Sequence, residues 1–132
     1  MVVVGLVLAG FVGHVLVINR SLPQNENDVP ILERTLALLE NEERWSKQDD
    51  RTCEPPRVRL SLYCALRQAS LEITGEFRHR GAALQEVRHE IDELRPDAGY
   101  AHRRMDFNNA PDVSLADVQL VIRRALDDLR AR

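Results

Sequence analysis

The feature that most constrains this chain is an uncharged apolar run over residues 1–18, MVVVGLVLAGFVGHVLVI, whose only polar side chain is His14. All 18 basic and 21 acidic residues lie at Arg20 or later. A bilayer core requires about 20 helical residues, and a single segment in lipid must be a helix because one strand cannot close a barrel. The run therefore predicts a single transmembrane helix, with residues 1–19 as an apolar leader and membrane anchor.

Three alternatives to the anchor stay open. A cleaved signal peptide fits less well, because no Lys or Arg precedes the run and no small-x-small site follows it. The abundance of valine and isoleucine also suits a buried strand, or a hairpin that turns near Gly10 or Gly13. A misassigned start codon would make the leader non-physiological, and the protein would then be cytoplasmic. If the leader does anchor, Arg20 directly after it places the following domain on the cytoplasmic side by the positive-inside rule.

The rest of the chain has room for one domain, since a domain typically needs roughly 100–200 residues. Residues 20–27 are predicted as a polar linker and residues 28–132 as a helical domain. Apolar side chains recur there with helical spacing and without an alternation of period two. The pattern predicts an all-α, compact four-helix domain, with helices over residues 28–44, 57–74, 81–94 and from Ser114 onward.

Several residues mark the ends of these helices. We expect Asp28 to be the N-cap of the first helix and Gly75 to terminate the second. Ser114 opens the last helix, with Asp117 three residues on as its capping-box partner. Residues 96–113 are predicted to be irregular. The helical stripes predict a core made of Leu32, Leu36, Leu39, Trp45, Leu62, Leu66, Ala69, Leu84, Val87, Ile91, Val118, Ile122 and Leu126.

Three sequence segments carry a family resemblance. They are LALLENEERW (residues 36–45), YCALRQA (residues 63–69) and MDFNNAPDVSLADV (residues 105–118). In this pattern the chain resembles an uncharacterised family of small bacterial and phage helical proteins, domain of unknown function 6197, over roughly residues 30–130. The resemblance implies a helical fold and no known activity. It also implies that residues 1–27 are an addition to the domain.

Cysteine and histidine offer the main candidates for chemistry. Cys64 lies on an apolar helix face, where we expect a buried, free and unreactive thiol, and Cys53 lies in a polar loop. A nucleophilic Cys64 would need a base such as His79, His89 or His102 nearby, and the spacing supplies none. His89 with Glu90 would bind a metal only if a neighbouring helix contributed ligands.

Polar clusters give weaker indications of a site. Asp106, Asn108, Asn109 and Asp112 are expected to form a turn, because Asn and Asp bond to nearby backbone. Asp49 and Asp50 in the preceding loop lack the further oxygen ligands of a cation site. Basic residues recur in three short runs, at residues 78–80, 102–104 and 123–124, with acidic residues interleaved. The sequence therefore assigns no catalytic, cofactor-binding or metal-binding residue.

The function that these features favour is a non-enzymatic helical interaction module tethered to a membrane through residues 1–18. A protein partner is left open, and the net charge of −3 argues against a nucleic-acid partner. Two alternatives remain. One is a small ligand-binding protein or enzyme with a bundle pocket near Cys64. The other is a weak DNA-associated regulator, which a contiguous positive face across Arg103, Arg104, Arg123 and Arg124 would favour.

Overall fold

The computed structural model of the protein describes residues 22–54 and 57–132. The predicted membrane segment over residues 1–18 lies outside this part of the chain. Among the residues that the structure describes, no helix has both the length and the apolar character needed to cross a membrane.

Five α-helices make up the described part of the chain, which contains no β-strand, so the predicted all-α class is confirmed. They are α1 (Asp28–Leu38), α2 (Leu62–Thr74), α3 (Ala82–Leu94), α4 (Arg103–Asn109) and α5 (Leu115–Arg130). The predicted number of four helices is wrong, because α4 lies in the stretch that was expected to be irregular. A helix this short makes about two turns, too few to show a repeating apolar stripe.

The core lies between α1, α2, α3 and α5. α1 packs against α2 and α5, α3 packs along α5, and the short α4 contacts α2 and α3. Apart from Leu36, which is half-buried, all predicted core residues are buried. Phe107 of α4 is fully buried with them. The helical periodicity therefore identified the packed faces, and α4 adds one large aromatic anchor to them.

Two predicted helix ends are confirmed. Ser114 and Asp117 form the capping box of α5, in which the Ser114 hydroxyl accepts from the Asp117 N–H and the Asp117 carboxylate accepts from the Ser114 N–H. Gly75 ends α2 in the left-handed conformation, at φ 77°, which favours glycine. Local signals of a few residues thus define these ends.

Two other predicted ends are wrong. α1 ends at Leu38 rather than near Arg44, since the Asn41 side chain accepts from the Glu43 N–H and starts a separate 3₁₀ turn. α2 begins at Leu62 rather than at residue 57. Ser61 is its N-cap, and Leu60 before it bonds to Arg44 and Ser46 at N–O distances of 2.7 and 2.9 Å.

The segment predicted as a linker is bonded to the domain over its described part. The Leu22 N–H donates to the Arg80 carbonyl at 2.7 Å, and the Gln24 side chain donates to the Leu129 carbonyl at 3.0 Å. Asp28 is the first residue of α1 and not its N-cap. Its buried carboxylate instead accepts from the backbone N–H of Ala83, in the first turn of α3.

Candidate functional site

Cys53 and Cys64 form a disulfide, with their Cα atoms 5.4 Å apart. The predicted burial of Cys64 is confirmed, but the predicted free thiol is wrong. The polar loop folds back onto the first turn of α2, an approach that spacing along the sequence does not reveal. Because a disulfide sulfur has no thiolate to offer, Cys64 does not serve as a nucleophile in this state.

A buried asparagine joins the loop to α2 and α4. The Asn108 side-chain oxygen accepts from the Trp45 indole N–H at 2.7 Å and from the Leu62 backbone N–H at 3.0 Å. Its amide nitrogen donates to the Ser46 carbonyl at 2.9 Å. Asn108 is fully buried. One side chain therefore satisfies three polar groups from two segments that are distant from it in sequence.

The neighbouring Asn109 anchors the loop at a second point. Its side-chain oxygen accepts from the Asp49 backbone N–H at 2.7 Å, and its amide nitrogen donates to the Asp49 carbonyl at 2.8 Å. We call Asn108, Asn109 and the groups that they bind the polar junction. The predicted turn at residues 106–112 is thus wrong in its first part, because residues 106–109 end helix α4.

Asp49 shapes the loop that precedes α2 and directs it toward a pocket lined by several arginine and histidine side chains. Its carboxylate accepts from the Arg51 backbone N–H at 2.7 Å, and burial raises the pKa of the Asp49 carboxyl. Arg51 adopts φ 64°, a left-handed conformation that is uncommon for a residue other than glycine. The structure thus uses Asp49 as a turn-forming residue, and it brings Arg51 to the pocket.

The basic pocket has a volume of about 180 Å³. Its walls come from the loop, α2, α3 and α4 and from the chain between these helices. No carboxylate is present among the residues that line it, which are Arg51, Tyr63, His79, Arg88, Ala101, His102, Arg103, Arg104 and Met105.

Arg104 is the most buried cation of the pocket, with 9% of its surface exposed. Burial lowers the pKa of its guanidinium to about 10, and the charge of Arg88 adds to this effect. Nη2 lies 3.3 Å from Nδ1 of His79, whereas the buried Nη1 has no hydrogen-bond partner among the described residues. The side chain remains protonated at neutral pH, and one of its donor groups is left unsatisfied.

His79 and Tyr63 form the aromatic side of the pocket. The ring of His79 stacks on that of Tyr63, with centroids 6.0 Å apart, and the Arg104 guanidinium carbon lies 5.8 Å from the Tyr63 ring centre. Burial, followed by the charge of Arg104, lowers the pKa of His79. A neutral imidazole can accept through Nδ1, so His79 helps to orient Arg104.

The arginines of the pocket differ in whether a carboxylate lies close enough to form an ion pair. Arg103 pairs with Asp92 at 2.8 Å. Among the described residues, no carboxylate lies within ion-pair distance of Arg51, Arg88 or Arg104. Asp49 attracts Arg104 only from farther away. Three positive side chains of the pocket therefore lack a close counter-charge.

The structure brings together only some of the predicted basic residues. His79, His102, Arg103 and Arg104 meet in the pocket, whereas Arg123 lines a separate groove that also contains Glu33 of α1 and Asp127 of α5. Arg51, Tyr63 and Arg88 were missed by the sequence reasoning, since no motif links them. Because Arg104 is buried and Arg123 lies in another groove, the structure does not bring the four arginines into the contiguous positive face that would favour the DNA-associated alternative.

A protein-family model describes residues 23–128 of this chain. The chain belongs to the family of unknown function DUF6197. The DUF6197 match includes every residue of the basic pocket and of the polar junction, and its range agrees with the resemblance seen in the sequence. No curated protein and no solved structure matches the chain.

Proposed function

We propose that this DUF6197 protein binds a phosphate-type anion in the basic pocket. The observation that carries the proposal is the buried Arg104, whose Nη1 has no partner among the described residues, in a pocket where none of the described lining residues is a carboxylate. A buried donor without a partner costs about 1–3 kcal/mol. An anion bound against Arg104 would offer Nη1 an acceptor after a small shift of the side chain.

The charges of the pocket favour an anion with more than one negative charge. Arg88 and Arg51 each lower the pKa of Arg104, which means that both of these cations repel Arg104. A phosphate group carries a charge of about −1.5 to −2 at neutral pH, and guanidinium groups bind it through paired hydrogen bonds. It would therefore turn this repulsion into attraction.

The size of the pocket indicates that only the anionic group of a ligand enters it. A wider groove lies beside it and shares Arg88 and Arg103 with it. A phosphate monoester would have room there for its organic part. This proposal develops the alternative of a ligand-binding protein with a pocket near Cys64, since Tyr63, which lines the pocket, directly precedes Cys64. The proposed activity is binding, without a catalytic step.

The test is calorimetric titration of the full chain with inorganic phosphate and with phenyl phosphate, in chloride buffer. We expect Arg104→Gln and Arg88→Gln each to weaken binding at least about tenfold, the loss of one charge-assisted contact. Tighter binding of phenyl phosphate than of phosphate would place the organic part in the groove. Wild-type protein that binds neither probe at millimolar concentration would overturn the proposal.

Arg51→Gly separates charge from folding. Glycine relieves the strain of the left-handed backbone at this position but adds entropy to the unfolded chain, so the variant should fold about as stably as the wild type. It should nevertheless bind phosphate more weakly. Arg123→Gln, on the exposed face of α5, is the matched control and should bind like the wild type. Equal binding by all variants would show that the anion does not use the pocket.

We also propose the tether, as a second function that rests on the sequence of residues 1–18 alone. The predicted cytoplasmic location and the disulfide indicate different compartments. The cytoplasm keeps thiols reduced, whereas disulfides persist mainly in oxidising compartments. Fractionation of the full chain against a chain that begins at Leu22 tests the anchor. This truncation keeps the hydrogen bonds of Leu22 and Gln24 to the domain. Recovery of both chains in the soluble fraction would exclude a tether, and protease protection in sealed vesicles would give the orientation.

A further inference from the structure

A second cluster of titratable side chains lies on α3, and none of its members lines the basic pocket. Glu86, His89 and Glu90 bring their ligand atoms to within 4.8 Å of one another. Their spacing of three and four residues places them on one face of the helix. The two glutamates are buried, each with 6% of its surface exposed, and His89 is exposed.

The neighbouring helix α5 contributes a third carboxylate. Asp128 lies near Glu90 and Glu86, and its proximity raises the pKa of both glutamates in addition to the effect of burial. This supplies the condition that His89 and Glu90 alone did not meet, namely a ligand from a second helix. The cluster therefore joins one imidazole and three carboxylates across the interface between α3 and α5.

The positive charge at this cluster is insufficient to balance it. Arg132 donates to Oε2 of Glu86 at 2.8 Å. Glu90 has no Lys or Arg within ion-pair distance and accepts from no N–H group among the described residues, although it is more than nine-tenths buried. Its carboxylate lies near the other carboxylates of the cluster, and Arg124 attracts it only from beyond ion-pair distance. Buried acidic groups in this arrangement require either a shared proton or a cation.

The chemistry of the donors narrows the choice of cation. Mg²⁺ and Ca²⁺ prefer oxygen ligands alone, whereas Zn²⁺ takes histidine nitrogen together with carboxylate oxygen. Four ligands around Zn²⁺ lie about 3.4 Å from one another at bond lengths of about 2.1 Å. The ligand atoms of Glu86, His89 and Glu90 lie within 4.8 Å of one another, and side-chain rotations can shorten these distances.

We propose that Glu86, His89, Glu90 and Asp128 form a binding site for a divalent transition-metal ion, with Zn²⁺ as the best-fitting ion. Arg132 would remain on Oε2 of Glu86 and leave Oε1 for the metal. The site would fasten α3 to α5 near the C-terminal end of the chain. Nothing in this proposal depends on the binding of an anion in the basic pocket.

The test is titration of the full, oxidised chain with Zn²⁺ after removal of bound metal, read by calorimetry and by thermal melting. The disulfide leaves neither cysteine as a thiolate to compete for the ion. We expect one equivalent of Zn²⁺ to raise the melting temperature. Glu90→Gln and His89→Gln should each weaken Zn²⁺ binding at least about tenfold, by analogy with the loss of supporting groups at known sites.

Glu93→Gln is the matched control, because Glu93 lies one turn beyond His89 on the same helix, at 3.5 Å from its Nε2. It is excluded from the proposed ligand set, so its loss should weaken Zn²⁺ binding less than the loss of Glu90 does. Glu90→Gln conserves shape and removes a repelled charge, so its helical content by circular dichroism should match the wild type. Equal losses in Glu93→Gln and Glu90→Gln, or a wild-type protein that Zn²⁺ does not stabilise, would overturn the proposal.

Discussion

The helical core and the polar junction hold this domain together by different physical means. Between α1, α2, α3 and α5 the contacts are almost all aliphatic, and many side chains share the buried surface. At the polar junction, by contrast, the buried Asn108 holds the loop after Trp45, the start of α2 and the short α4.

This difference predicts different responses to substitution. Apolar burial has no direction and scales with the area removed from water, so neighbouring side chains can partly compensate for a loss. A hydrogen bond requires both partners in place, and a buried group that loses its partner bears the full desolvation cost. The polar junction should therefore be the more sensitive region for its size.

The largest expected effect is that of Asn108→Ala. The change leaves the Trp45 indole N–H, the Leu62 N–H and the Ser46 carbonyl without their partner. At about 1–3 kcal/mol for each such group, the free energy of unfolding should fall by about 4–5 kcal/mol, as measured by urea denaturation. The control is Asn109→Ala, at an exposed position, which should cost about 1 kcal/mol. Equal costs for the two substitutions would remove the distinction between Asn108 and its neighbour.

The next largest loss of stability is expected for Leu66→Ala. Leu66 is fully buried at the centre of α2, and truncation of such a leucine costs about 3–4 kcal/mol through lost burial and the cavity left behind. Thermal melting would measure it. Leu71→Ala on the same helix is the comparison, since Leu71 is 37% exposed and should cost less than half as much. An unchanged melting temperature for Leu66→Ala would contradict the assignment of this face to the core.

Reduction of the disulfide should have an intermediate effect. The bridge closes a loop between residues separated by 11 positions, and chain-entropy arguments assign about 2–3 kcal/mol to a loop of this size. Melting with and without dithiothreitol measures this difference. A Cys53→Ser, Cys64→Ser double variant should melt like the reduced wild type and ignore dithiothreitol. If dithiothreitol also lowered the melting temperature of the double variant, the effect of dithiothreitol on the wild type could not be assigned to the disulfide.

The smallest effect concerns the polar patch that Glu86, Glu90 and Asp128 form between α3 and α5. Burial, followed by the proximity of Asp128, raises the pKa of Glu90 from 4.5 to about 7. Between these values the folded protein holds a proton that the unfolded chain has released, so stability falls as pH rises through this window. In the presence of EDTA, the melting temperature of Glu90→Gln should fall less between pH 5 and pH 8 than that of the wild type. A decline as steep as that of the wild type would locate the titrating group elsewhere.

The helical core could be predicted from sequence because its signals are periodic and local. The stripes gave the buried faces of α1, α2, α3 and α5, and the Ser114–Asp117 pair and Gly75 gave two helix ends. The polar junction could not be predicted in the same way, since Asn108 binds Trp45 across 63 positions of sequence and no period connects them. For the same reason the sequence did not show that Arg51 and Arg104 line one pocket, or that Cys53 meets Cys64.

The segment that carries Arg51 is held at both ends. Asn109 holds Asp49 on one side, and the bridge at Cys53 holds the other. A loop fixed in this way has already lost the backbone freedom that binding would otherwise remove, so Arg51 is preorganised for an arriving anion. In a thiol-reducing environment one anchor is released, and association must then include the entropy of ordering the loop. The affinity of the basic pocket thereby becomes linked to the oxidation state of two sulfur atoms that never touch the ligand.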